Sequence, residues 1–407
     1  MLFIYIYIPP FLRVGTSIIG ALFFGLYILK NWKRIARNLL VNRIFLIGGG
    51  VGLLLLYAIM AYLRVYGSFE KVISAYASSF YIIIYSLMGT VAICDICSKN
   101  DYSNKEVWEC VILAGTLQSV LSFAAYFCKP IQTILCELLK NIMTADTINY
   151  WRDYRLYGLA CGLTFGMPIA QSLIGGMALI YAKRYNTKYY FLVPLLWGSA
   201  LINGRVTMVI VAEELLLIFF ASLKYRPNFK VKRETLLIFT LFAIFLILGI
   251  LAIAVSGVNM GRIVDPIKEL WALLHGERLH TTNGYFVYFF ADSKAFVLPS
   301  KVNLLFGGGI WNNVSDIGYI YDLWVGGVIY SVMQYIFYLA LIKKWYNVCG
   351  KTIIPIIFGI TLFVVNIKGN VFGGMNEFLN LFYLMLGVEL FIKKRESEVK
   401  RTVYLNE

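Results

Sequence analysis

Only two histidines, His275 and His280, occur among the 407 residues, and neither belongs to an HExxH or any other metal-ligand spacing. Metal-dependent chemistry therefore has no support in this chain. Charge is scarce too: 14% of residues are charged against 60% hydrophobic, with a mean hydropathy of +0.73. That balance excludes a soluble globular domain. The seven cysteines are irregularly spaced and form no disulfide framework. Cys94 and Cys97 make a CxxC without a second pair, which argues against a zinc or redox site, while Cys128 and Cys136 share a loop and are candidates for a bridge in an oxidising compartment. There is no basic leader followed by a small-residue cleavage site, so the first span is expected to insert and stay. The chain also lacks internal repeats and low-complexity tracts.

What is present is apolar sequence in lengths that cross a bilayer. A span needs about 20 mostly apolar residues, and eleven candidates run from Phe11 to Leu29, Ile44 to Tyr62, Val72 to Ile93, Val107 to Tyr126, Leu156 to Ala182, Tyr189 to Ile202, Val206 to Ser222, Thr235 to Val255, Tyr319 to Ile342, Thr352 to Ile367 and Leu379 to Ile392. The expectation is an all-α polytopic membrane protein with about 11 transmembrane helices in one membrane domain, 1–407. The net charge of +15 is segregated in a way nucleic-acid binding does not require: 23 of the 37 Lys and Arg sit on alternate loops and the C-terminus, which should face the cytoplasm.

The opposite face then carries the two long loops, Phe127 to Arg155 and Ser256 to Gly318, and loops of that length usually have a function. Each contains an amphipathic stretch. Asp265-Pro266 opens one with Ile267, Leu270, Trp271 and Leu274 at helical spacing; Pro130 precedes Ile131, Ile134, Leu135 and Leu138 in the other. An odd number of spans puts the N-terminus outside, with Met1 to Ile8 an apolar segment ahead of Pro9-Pro10.

The chemistry-bearing residues cluster toward that outer face. Leu305 to Ser331 reads LFGGGIWNNVSDIGYIYDLWVGGVIYS: a glycine-rich turn with Gly307 and Gly309, a lone acid Asp316, then Gly318-Tyr319, and Gly327 eleven positions after the acid. Arg155 is separated by ten residues from Gly166, and Asn203-Gly204-Arg205 is a tight turn between two spans. Arg278 and His280 lie upstream of the glycine turn, with Arg262 a rival to Arg278. A guanidinium at a helix entrance offers planar, permanently charged donors suited to a pyrophosphate. Each residue also has a plainer reading. Arg155 and Arg205 could anchor spans at the interface, Arg278 could be a solvated loop charge, and Asp316 could cap a helix N-terminus. Glu213 and Glu214 fall within a span, nearer its cytoplasmic half, which points to structural pairing or a proton-coupled role rather than glycosyl transfer.

The order of these elements resembles the bacterial O-antigen polymerases (Wzy) and the related O-antigen ligases. In them a glycine-rich loop precedes a polar residue, a Gly-Tyr or Asn-Xaa-Tyr and a spaced glycine, and an arginine, ten residues, glycine motif occurs in an outer loop. Ligases carry histidine where this chain has Asp316, which favours polymerase. Departures are a serine replaced in the Asn203-Gly204-Arg205 turn, Val206 in place of its following glycine, and a longer gap after Arg278. The resemblance covers Arg155 to Gly327. It implies a GT-C-related helical bundle with a cavity open to the periplasm of the bacterial inner membrane, and no cofactor. Donor and acceptor would be undecaprenyl pyrophosphate-linked glycans, joined into O-antigen or capsular polysaccharide, with a chain-length regulator as a further partner. On that reading Asp316, Arg278, Arg205 and Arg155 are catalytic, and Gly166, Gly307, Gly309, His280 and Tyr319 line the substrate. The rivals are a ligase-like glycan transferase and a lipid-linked oligosaccharide flippase.

Overall fold

The computed structural model describes residues 1–9, 16–42, 45–140, 158–160, 166–204, 206–225, 297–309, 317–367, 369–372 and 377–393. Among them the regular structure is entirely helical. In chain order the helices are α1 (Leu2–Tyr7), α2 (Thr16–Lys30), α3 (Trp32–Asn42), α4 (Phe45–Tyr66), α5 (Val72–Tyr81), α6 (Met88–Lys99), α7 (Asn104–Phe127), α8 (Lys129–Leu139), α9 (Gly166–Arg184), α10 (Leu192–Asn203), α11 (Val206–Tyr225), α12 (Lys301–Phe306), α13 (Gly318–Val348), α14 (Ile354–Val365) and α15 (Glu377–Val388). A π-helical segment, Ile82–Leu87, joins α5 to α6, and a second, Glu389–Lys393, extends α15.

Local chemistry accounts for several boundaries. Ser103 and Glu106 form a reciprocal capping box at the start of α7. Prolines at the first turns of α8 and α14 occupy positions whose amides a helix leaves unpaired anyway. Among the described residues four stretches are long and apolar enough to cross a bilayer: Leu46–Tyr66, Ile82–Lys99, Asn104–Ala125 and Gly318–Val348. Ile18–Lys30 and Ile354–Val365 are shorter apolar helices. Large apolar side chains face outward in stripes, as with Leu22, Leu26 and Leu29 on α2 and Val328, Val332, Ile336 and Leu339 on α13. Contiguous exposed apolar surface of this kind suits lipid.

Two helices form the core. Every residue of α9 from Gly166 to Ala182 is buried, as is every residue of α15. Around α9 pack α7, α10, α11 and α15, while α4 and α13 pair on another flank with α12. The apolar N-terminal segment, Met1 to Ile8, forms its own helix ahead of Pro9. Helix α1 is separate, and it lies against α7 and α15 with Tyr5, Ile6 and Tyr7 fully buried. Tyr7 donates to Gln171 at the centre of α9, and the Asn380 amide of α15 donates to the Tyr5 carbonyl at 3.0 Å.

Other expectations shift in detail. The fifth span was expected from Leu156, but Gly158 and Leu159 form a turn, with Gly158 in the left-handed region, and α9 starts at Gly166. The ninth span, expected as one helix, is broken at Gly327. Cys128 and Cys136 are not bridged to each other. Cys128 caps α8 and Cys136 lies eight residues along the same axis, about 12 Å away, beyond disulfide reach. The candidate span Thr235 to Val255 and the amphipathic stretch after Asp265 lie outside the described residues.

Two of the cation-bearing loops meet at one end of the bundle. Lys105 stands over the Tyr185 ring at 5.3 Å, Glu109 accepts from Tyr181 at 3.1 Å and from Tyr189, and the Asn104 amide donates to Glu389 at 2.8 Å. Those contacts tie the loop around residues 99–105 to that at 183–188 and to the end of α15. Helix α13 also meets the segment Glu389–Lys393. The candidate motifs lie at the other end of the helices, starting with Gly166, about 27 Å along α9 from Arg184.

Candidate functional site

Glycine geometry builds the site. Helix α13 is interrupted at Gly327, where φ is 70° and ψ −170°. A continuous helix would give the carbonyls of Trp324 and Val325 to the amides of Val328 and Ile329. Here the turn after α12 takes them instead: Gly308 N–H donates to Trp324 O and Gly309 N–H to Val325 O, both at 2.8 Å. The two backbones touch. A Cβ on Gly307 would overlap Gly326, one on Gly327 would overlap the Leu305 carbonyl, and one on Gly309 would overlap the backbone of Tyr62. Gly307 and Gly309 are also left-handed, at φ 79° and 67°, so the turn needs glycine for conformation as well as space.

Side chains from α4 and α5 clamp this turn. Arg64 donates to Asn303 Oδ1 at 2.8 Å and to the Gly307 carbonyl, and its guanidinium lies 5.5 Å from the Phe306 ring centroid. The fully buried Tyr76 hydroxyl sits 2.8 Å from Gly309 O and 2.7 Å from Ala58 O. Trp324 Nε1 donates to Val297 O at 2.9 Å, ahead of α12. Trp324 and Val325 are six and seven residues into α13, so the glycine turn docks about 10 Å below the start of that helix. Irregular backbone at such depth is tolerated where its polar groups are matched by protein.

The entrance of α13 is fastened to the end of α14. Gly318 lies against Asn366, and the Tyr319 hydroxyl donates to Phe363 O at 2.8 Å, which makes Tyr319 a brace between the two helices. One turn deeper is Asp322, which the reading of the sequence missed. It is buried, and its Oδ2 accepts from Tyr335 at 2.7 Å and from Asn366 Nδ2 at 3.0 Å, while Asn366 Oδ1 accepts from Val371 N–H at 3.2 Å. An acid inside a span is itself a signal, and Asp322 could have been found on that ground.

A second group gathers at the starts of α9 and α11. Gly166 opens α9 and is buried; two residues on, Pro168 packs against Gly204, and Thr207 donates back to the Gly204 carbonyl. The segments carrying the arginine-to-glycine spacing and the Asn203-Gly204-Arg205 turn are thus brought into contact. Gly158, upstream, tucks onto Gln118 of α7, whose Oε1 accepts from Leu159 N–H at 3.2 Å. Arg155, Arg205, Arg262, Arg278, His280 and Asp316 lie outside the described residues.

No protein-family model and no curated protein matches the chain. Chemical capacity is therefore argued from the arrangement alone. Among the described residues no group of three or more His, Cys, Asp and Glu side chains stands close enough to hold a metal. Glu213 and Glu214 fall at the eighth and ninth positions of α11. The Glu213 carboxylate is 3.4 Å from the Thr361 hydroxyl of α14, and Glu214 Oε2 accepts from Trp197 at 3.1 Å.

Proposed function

We propose that this protein is a polymerase of lipid-linked oligosaccharide repeat units, working in the bacterial inner membrane with its site toward the periplasm. The observation that carries the reading is the docking of the glycine turn Gly307–Gly309 into the break of α13. It gives a physical reason for glycines at both ends of the Leu305-to-Gly327 motif on which the resemblance rests. The motif enforces a reentrant backbone immediately before the segment that carries Asp316.

On this reading the bundle is GT-C-related, with eleven spans and an active site formed at the end opposite the cation-rich loops. The growing glycan on its undecaprenyl pyrophosphate is the donor, and the non-reducing sugar of a new lipid-linked unit is the acceptor. The acceptor hydroxyl attacks the anomeric carbon, the bond to pyrophosphate breaks, and the proton leaves to Asp316 acting as base. Arg155, Arg205 and Arg278 neutralise charge growing on the pyrophosphate oxygen as it departs. One displacement inverts the anomeric centre.

The test is a reaction of purified protein in vesicles with lipid-linked repeat units alone. Glycans of two or more repeats should accumulate without nucleotide sugar, and Arg205→Ala and Arg278→Ala should leave single units. Intact substrate recovered unchanged from folded wild-type protein would sink the proposal, and transfer to a lipid A acceptor in its place would make the protein a ligase.

A further inference from the structure

A pair of glycines on the central helix shapes a dry notch away from the glycine turn. Ser172, Gly175 and Gly176 share one face of α9, being three and four residues apart. A Cβ on Gly175 would collide with the Trp197 indole of α10, and one on Gly176 would lie 2.6 Å from Glu214 Oε1 of α11. The glycines thus make room for one indole and one carboxyl group in the bundle interior. Trp197 Nε1 stands 3.1 Å from both Ser172 O and Glu214 Oε2.

Two polar atoms in this place are unmatched. Glu214 and Ser172 are fully buried, and neither Glu214 Oε1 nor Ser172 Oγ has a hydrogen-bond partner among the described residues. Among the described elements, α9, α10 and α14 pack most closely on α11. Their titratable or charged residues are Tyr181, Lys183 and Arg184, all at the far end of α9, with Tyr181 held by Glu109. Glu213, the neighbouring acid on α11 itself, is half-buried and turned to Thr361. An ionised carboxylate left in such surroundings carries a penalty of several kcal/mol. A cation on Oε1 removes that charge.

We propose that Glu214 and Ser172, seated in the Gly175–Gly176 notch, form a binding site inside the membrane for one exchangeable monovalent cation. The occupant is a proton or a small alkali ion, both meeting the same need for one positive charge at Glu214 Oε1. The site stands apart from the glycan-transfer reading and does not depend on it.

Infrared spectroscopy of the full-length protein in phosphatidylcholine vesicles tests this, with protons and sodium as the probes. In sodium-free buffer a protonated-carboxyl band should be present in wild type and absent in Glu214→Gln, should shift in heavy water, and should move in Ser172→Ala. If that band is lost as pH rises but is indifferent to sodium, the occupant is the proton. Loss of the band on adding sodium at constant pH makes it the alkali ion. Identical wild-type and Glu214→Gln spectra overturn the proposal, because the acid is then ionised and paired. A Glu214 band that neither exchanges nor responds to pH or sodium overturns it too, since the acid is then purely structural. Should Glu214→Gln fail to fold, Ser172→Ala decides: a moved band supports the site and an unmoved one removes it.

Discussion

Tyr76 and Gly309 show how single atoms hold the glycine turn. Replacing Tyr76 by phenylalanine removes only the hydroxyl that sits between Gly309 O and Ala58 O, so a loss of about 1 kcal/mol is expected, the usual net worth of such a bond. Gly309→Ala adds a methyl group against Tyr62 on a left-handed backbone and should cost more, on the order of 2–4 kcal/mol. Thermal unfolding in detergent would rank the two, and a Gly309→Ala protein as stable as wild type would mean the turn does not dock as described. Asp316→Asn separates two roles. Asparagine can still cap a helix but cannot take a proton, so a base would lose about two to four powers of ten in polymerisation rate. Polymer made at the wild-type rate by folded Asp316→Asn would leave the residue a cap. The glycines of the turn were legible in the sequence because turn residues stand out in apolar surroundings. Asp322 was visible only as an acid inside a span; its partners Tyr335 and Asn366, thirteen and forty-four positions away, were not.

At the scale of elements, an ion pair fastens α3 to α6. Arg34 donates through Nε and Nη2 to Asp95 at 3.1 and 2.6 Å, and Tyr27 adds a bond at 2.9 Å. Asp95 is almost wholly buried while Arg34 is 40% exposed at its side chain, so the asymmetry decides the outcome. Losing the arginine strands a buried acid, whereas losing both charges strands nothing. Arg34→Ala should therefore lower the unfolding temperature, and Arg34→Ala with Asp95→Asn should recover part of the loss; a double variant no better than the single one would contradict this. The broken α13 belongs to the same scale. Hydropathy marked Tyr319 to Ile342 as a span, yet it could not reveal the break, because the carbonyls of Trp324 and Val325 find their amides on a distant turn.

For the whole molecule, the meeting of two cation-bearing loops at one end gives the topology a test. With that end cytoplasmic, Ser300→Cys should react with an impermeant thiol reagent added outside spheroplasts, and Asn186→Cys should react only after permeabilisation. The reverse pattern would put the proposed site on the wrong side of the membrane. Native cysteines need replacement first, since Cys110 is exposed.

The sequence by itself determined the class of molecule: apolar runs of bilayer length and cations on alternate loops follow from composition and order, which no packing alters. It also marked the glycine turn and the arginine-bearing entrances, since local backbone demands and isolated charges are visible one residue at a time. Only the tertiary structure decided that α1 fills the core beside α9, that α13 is broken and completed by the turn after α12, and that Asp322 and Glu214 are buried groups with specific neighbours. Those features depend on which helix faces touch. In a membrane nearly every face is apolar, so hydrophobic periodicity cannot choose among them, and the choice falls to notches, backbone breaks and polar pairs that exist only once the helices meet.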